Sequence, residues 1–271
     1  MFHYKYDFFS DHLPVGIEVN GKKIVTLNCL NKHYVKYIIQ HNNQGYKDSA
    51  VTKLHSSYIH SGKLDQRELY AFEYISNLIK KGHICLLQEV SFPFMIKLTT
   101  HFDAISIMKE KQNYCVTIFP QLPCHTSNII PFVGTDYHFI HTKLKDIHII
   151  NVHVPWHKSH IKNELYKNPY IKQLSDYVAT LQGPIIIGGD FNTNLDYILF
   201  NEGSQIITPY YTHIDANFTD TNKKVAKFDG FILVNIKDKP QILDLPDISR
   251  LSQLLYHVKS KNIALRFKPK A

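Results

Sequence analysis

No stretch of this 271-residue chain approaches the roughly 20 consecutive apolar residues that a membrane-crossing helix requires. Its longest apolar runs, such as Ile185–Ile187 in PIIIGG, have the length of buried strands. The opening MFHYKYDFF has no continuous apolar stretch followed by small residues, so a secretory leader is not expected. No amphipathic or lipid-anchor segment stands out either, and stable membrane insertion is not expected. The four cysteines, Cys29, Cys85, Cys115 and Cys124, lack any CxxC spacing. They read as small buried reduced thiols rather than a disulfide or metal site, which favours a reducing, cytoplasmic compartment. No Gly/Ser- or Pro-rich linker and no internal repeat divides the chain, so a single domain over 1–271 is expected. Dense Lys/Arg blocks are also missing. The formal charge of +8, with 17 histidines besides, still leans toward a polyanionic partner.

What is present is a series of short apolar, β-branched runs bounded by turn residues. GKKIVTLNCL, HICLLQEV, DAISIMK, NYCVTIF, DYHFIHTKL, DIHIINVHV, PIIIGGDF and FDGFILVNI all read as strands. LDQRELYAFEYISNLIKKG carries Leu69, Phe72, Ile75, Leu78 and Ile79 at helical spacing and stops at Gly82. NPYIKQLSDYVATLQG places Ile171, Leu174, Val178 and Leu181 likewise, and SRLSQLLYHVKSK reads as a shorter third helix. Strands in consecutive pairs with occasional helices indicate a mixed α/β fold of the α+β type with many antiparallel strands. Residues 42–65 have no sustained period and read as a long loop.

Three strand ends carry groups able to do chemistry. ICLLQEV is a buried strand that ends on Glu89, a hard-oxygen ligand suited to Mg²⁺ or Mn²⁺, although a lone acid at a strand end is commonly just solvated. In HIINVHVPWH, Asn151 and His153 share one strand face, as site residues or as a hydrogen-bonded core pair. In PIIIGGDFNTN, two glycines that permit close ligand approach precede Asp190 and Asn192, an acid and an amide that can polarise water and bind a phosphate oxygen.

TLNCLN, LLQEV, NVHVPWH and GGDFNTN, in this order over residues 22–195, resemble the endonuclease/exonuclease/phosphatase (DNase I-like) superfamily. That resemblance implies a four-layer α/β sandwich, with two packed, mostly antiparallel sheets flanked by helices. The family pattern also calls for an Asp in a later strand, and AKFDGFILVN supplies Asp229, with Gly230 where an aromatic or His is common. A closing SDHxPV is missing downstream, where Asp247 and His257 are poor substitutes, yet SDHLPV stands intact at Ser10–Val15. PVGIEV and KKIVTLN are joined by Asn20-Gly21, a strong hairpin signal. The order therefore reads as a circular permutation, with the family's last strand moved to the front.

By this resemblance the chain is a divalent-metal-dependent phosphoesterase, with Mg²⁺ (Mn²⁺ as substitute) bound by Glu89, Asn28 and Asp11. His12, His153, Asp190, Asn192 and Asp229 are implied as catalytic, with Asp229 fixing the His12 tautomer. Asn151 and Trp156 are candidates for substrate binding. A nuclease on RNA or single-stranded DNA suits the basic balance best. An inositol-phosphate or phospholipid phosphodiesterase and a non-catalytic interaction module are the alternatives. Segments 42–65 and 235–271 are expected to tune specificity.

Overall fold

The computed structural model describes residues 10, 12–31, 64–109, 113–121, 126–157, 168–198, 200–209, 212–214 and 225–245. Asp11, Cys124, Asp247, His257, residues 42–63 of the expected loop and the expected helix at 249–261 lie outside the described residues.

The first strands, β1 (Val15–Val19) and β2 (Lys22–Asn28), form the hairpin expected from Asn-Gly. Val19 pairs with Lys22, and Asn20 and Gly21 both take positive φ, 50° and 67°. This is the two-residue turn whose twist matches its strands. Helix α1 (Leu64–Lys80) then leads into β3 (His83–Val90), which lies parallel to β2. Gly82, at φ 81°, donates its N–H to Ile79 O and ends the helix. Ala71, Tyr74, Ile75, Leu78 and Ile79 form the buried stripe of α1, whereas Leu69 is 43% exposed. The spacing that marked Leu69 as core belongs to residues one turn further along.

Helix α2 (Phe92–His101) follows β3, with the Ser91 hydroxyl accepting from Phe94 N at 3.3 Å and Pro93 in its first turn. Antiparallel strands β4 (Asp103–Lys109) and β5 (Asn113–Phe119) complete one side of the first sheet. The second sheet begins with β6 (Thr126–Pro131), β7 (His138–Lys143) and β8 (His148–His153). Helix α3 (Pro169–Ala179), capped by the Asn168 side chain, crosses over to β9 (Ile185–Asp190), parallel to β8. Strands β10 (Gln205–Ile207), β11 (His213–Ile214), β12 (Val225–Ala226), β13 (Asp229–Val234) and β14 (Gln241–Ile242) finish the order.

Two six-stranded mixed sheets result, ordered β14-β1-β2-β3-β5-β4 and β10-β13-β9-β8-β7-β6. Strand alternation sorts their side chains into three apolar layers. Ile24, Leu86, Ile149, Ile186, Phe231 and Leu233 meet between the sheets. Val25, Leu27, Cys85 and Leu87 face α1 and α2, while Ile150, Val152, Ile187 and Ile232 face α3. The expected helix–sheet–sheet–helix sandwich is therefore present. Among the described residues, Cys29, Cys85 and Cys115 are buried and form no disulfide, and no helix is long and apolar enough to cross a membrane.

Gly188 and Gly189 are required by protein packing. A Cβ on Gly189 would lie 1.8 Å from Val152 O, and one on Gly188 would lie 2.5 Å from Phe231 and 2.7 Å from Leu86. These glycines bring β9 close to β8 and to the opposite sheet.

Candidate active site

Along the faces between the sheets, apolar side chains give way to polar ones at one end of the seam. Ile24, Thr26 and Asn28 follow one another on β2, as do Ile149, Asn151 and His153 on β8, and Ile186, Gly188 and Asp190 on β9. Strand β13 runs the other way and starts at this end with Asp229, whose Cα pairs with that of Asp190. His153 pairs with Asp190 from the other side. Regular pairing in the second sheet thus sets three of the candidate residues side by side.

Asp190 is the centre of the arrangement and is buried. Its Oδ1 accepts the Asn192 backbone N–H at 2.8 Å, and its Oδ2 accepts from Asn28 Nδ2 at 2.9 Å. The same Oδ2 lies 3.6 Å from His153 Nε2 and 4.0 Å from His12 Nε2. Asn28 is held in turn, because its Oδ1 accepts from Leu30 N at 2.9 Å. The Asn192 amide donates to Val154 O at 2.9 Å, which leaves its second N–H as a further donor.

His12 enters from the segment before β1. Its Nδ1 is 2.7 Å from Asp229 Oδ2, so an Nδ1–H donated to that carboxylate turns Nε2 toward Asp190. Burial raises the pKa of the Asp229 carboxyl, and the neighbouring His12 opposes that rise. Ser10 anchors this segment, since its hydroxyl donates to Asn28 O at 2.6 Å and accepts from His12 N at 3.1 Å.

Glu89 arrives differently. Leu86 faces the seam and Leu87 the helices, so strict alternation would turn Glu89 to the helix side with Leu87. Pairing with β5 is irregular between Leu87 and Val90, and Glu89 sits there at φ 53°, in the left-handed region. The bulge brings Glu89 Oε1 to 3.7 Å from His153 Nε2, with the side chain 14% exposed. Among the described residues, two overlapping sets of possible metal-ligating atoms follow, one of Glu89, His153 and Asp190, the other of His12, Asp190 and Asp229.

Asn151 lies deeper than this group. It is fully buried, accepts from Gln88 Nε2 at 2.8 Å and donates to Val116 O at 3.1 Å. Gln88 also reaches Thr26 at 3.2 Å, so the amides tie the sheets together beneath the site. Trp156, 54% exposed, follows β8 at the same end of the molecule. Sequence reading missed Gln88, Thr212 and Tyr137, whose ring meets His153 edge-on at 5.7 Å between centroids. A polar residue beside Glu89 was a usable signal for Gln88. Nothing in the local pattern marked the other two.

No known family profile matches the sequence, and no curated protein matches it. Solved structures do match by fold. ANGEL2, a 2′,3′-cyclic phosphatase, superposes with a TM-score of 0.50 at 11% identity, over 91% of this chain and 90% of that one. A D. rerio TDP2 humanized by 14 mutations gives 0.49 at 12% identity, covering 85% of this chain and 86% of that one. TDP2 from C. elegans gives 0.49 at 14% identity over 65% of this chain, which spans 61% of that longer protein. This chain shares the fold of ANGEL2, an α/β sandwich of the DNase I-like kind.

Proposed function

We propose that the protein is a divalent-metal-dependent phosphoesterase of a single domain, hydrolysing phosphodiester bonds in RNA or single-stranded DNA. The observation that carries this reading is the convergence of Asn28, Glu89, His153, Asp190 and the His12–Asp229 pair at one end of the seam. ANGEL2, which shares the fold, is a 2′,3′-cyclic phosphatase. The donor set fits a hard cation, because the Glu89 and Asp190 carboxylates supply the kind of oxygen ligands that Mg²⁺ and Mn²⁺ prefer. Glu89 would be the principal ligand, and the sequence resemblance adds Asn28 and Asp11. Such an ion neutralises phosphate charge and polarises the P–O bonds.

The remaining roles belong to the chain itself. Asp190, with both oxygens already oriented by N–H donors, positions and deprotonates the attacking water. His12 presents Nε2 to the phosphate, and the Asp229 carboxylate holds that tautomer. His153 and the second N–H of the Asn192 amide donate to phosphate oxygens. Trp156 offers a stacking face for a base next to the scissile bond. The segment order is read as a circular permutation, supported by the β1–β2 hairpin and by His12 meeting Asp229. Buried cysteines that form no disulfide favour a cytoplasmic site of action, which an active fluorescent fusion found only outside the cytoplasm would rule out.

Labelled single-stranded RNA and DNA, inositol polyphosphates and phosphoinositide vesicles, each with Mg²⁺, Mn²⁺ or EDTA, test the reading. Metal-dependent cleavage of a nucleic acid is expected. Phosphate release from the inositol substrates alone would transfer the assignment to lipid signalling chemistry. No turnover at all would make the chain an interaction module. For the permutation, His12→Ala abolishes activity and His257→Ala spares it, and the reverse result overturns it.

A further inference from the structure

Thr212 is fully buried and none of the roles above uses it. Its carbonyl accepts the N–H of Leu13 at 2.8 Å, fixing the backbone beside His12. Its hydroxyl oxygen accepts two consecutive amides, Phe228 N at 3.1 Å and Asp229 N at 3.0 Å. One residue thus grips both segments of the His12–Asp229 pair, which lie 217 positions apart in the chain. The two amides occupy the acceptor side of the hydroxyl and leave its proton to be donated. Asp229 Oδ1 is buried without a hydrogen-bond partner, and the Thr212 hydroxyl holds the Asp229 backbone beside it.

We infer that Thr212 is the positioning residue of the His12–Asp229 pair, its carbonyl anchoring the histidine segment and its hydroxyl orienting the aspartate. The inference rests on the phosphoesterase reading for its effect on turnover, but its geometry can be tested without any substrate. Removing the hydroxyl releases the Phe228 and Asp229 amides, so the Asp229 carboxylate shifts and no longer fixes the His12 tautomer.

The test compares Thr212→Val, which keeps the shape, with Thr212→Ser, which keeps the hydroxyl, both in the full chain below their melting temperatures. The first readout is the imidazole NMR signal of His12, assigned by its loss in His12→Gln. Wild type should show a far-downfield Nδ1 proton that Thr212→Val shifts or broadens and Thr212→Ser restores. On the cleaved substrate, Thr212→Val should lower kcat by about 10- to 100-fold with KM little changed, and Thr212→Ser should recover most of the rate. An unchanged Nδ1 proton in Thr212→Val, or a serine variant as impaired as the valine one, would overturn the inference. If wild type cleaves no phosphoester, the functional reading fails, while the NMR comparison still decides the role of Thr212.

Discussion

In the first sheet the parallel strands β2 and β3 carry Asn28 and Glu89 near their C-terminal ends, and in the second the parallel strands β8 and β9 end at His153 and Asp190. Each pair is bridged by a helix-containing crossover, and each sheet sends an acid toward the seam. In the second sheet the acid follows from regular register, with unbroken β8–β9–β13 pairing up to Asp190. In the first sheet it requires an irregularity in pairing and a left-handed backbone at Glu89. The regular solution depends on close backbone packing, which its glycines permit. The irregular one concentrates strain at the candidate residue itself.

The largest effect that tests this difference is on turnover. Glu89→Gln and Asp190→Asn should each reduce phosphoester hydrolysis by at least about 10³-fold, since the first removes the charge that would hold the cation and the second the base for the attacking water. Circular dichroism melts should show both variants still folded. Substantial turnover in either variant would remove that acid from the reaction.

Next comes the packing of the second sheet. Gly189→Ala should destabilise the protein by about 3 kcal/mol or more, because the new methyl would lie on the Val152 carbonyl with no room to shift. Urea unfolding checks this. A loss under about 1 kcal/mol would mean that the β8–β9 contact is pliable.

These two features mark what could be read from the sequence. The central strands were legible because each is an apolar run closed by turn residues, and Asp190 and His153 because polarity changes abruptly at the strand ends. Edge strand β6, TSNIIP, is largely exposed and has no such contrast. β14 is two residues long and takes its identity from pairing with β1. Asn151 shares the face of His153 but lies one inward position deeper, where it meets Gln88. The orientation of Glu89 was not legible, since alternation assigns it to the opposite face and only three-dimensional pairing reveals the bulge. Thr212 makes three bonds to two distant segments, which no local pattern encodes.

A third expected effect distinguishes the sheets by pH. In the second sheet His148 Nε2 is 3.0 Å from Gln182 O, a group that can only accept, so Nε2 carries the proton. His148 Nδ1 therefore accepts from His141 Nε2 at 2.7 Å, and His141 Nδ1 accepts from the Tyr177 hydroxyl at 2.7 Å. Every proton in this chain is placed with both rings neutral. Burial lowers the His141 pKa from 6.5 to about 4, helped by nearby His148 and Lys143. The unfolded chain thus binds more protons between these values, and stability is lost as pH falls from about 6.5 toward 4. Allowing for solvent screening, His141 accounts for about 2 kcal/mol of that loss. His141→Gln, which can still accept from Tyr177 and donate to His148, should flatten the pH dependence of urea unfolding. An unchanged slope would place the acid sensitivity elsewhere.

The smallest effect is the sharpest test of the irregular solution. Glu89 is held in left-handed backbone, which costs a residue with a side chain about 1 kcal/mol or more relative to glycine. Glu89→Gly should therefore raise unfolding stability by about 1 kcal/mol while abolishing turnover, since it relieves the strain and removes the carboxylate together. Glu89→Ala separates the two contributions: it loses the acid, keeps the side-chain penalty, and should melt near wild type. If the glycine variant is no more stable than the alanine variant, the bulge is not strained. The first sheet would then deliver its acid as freely as the second.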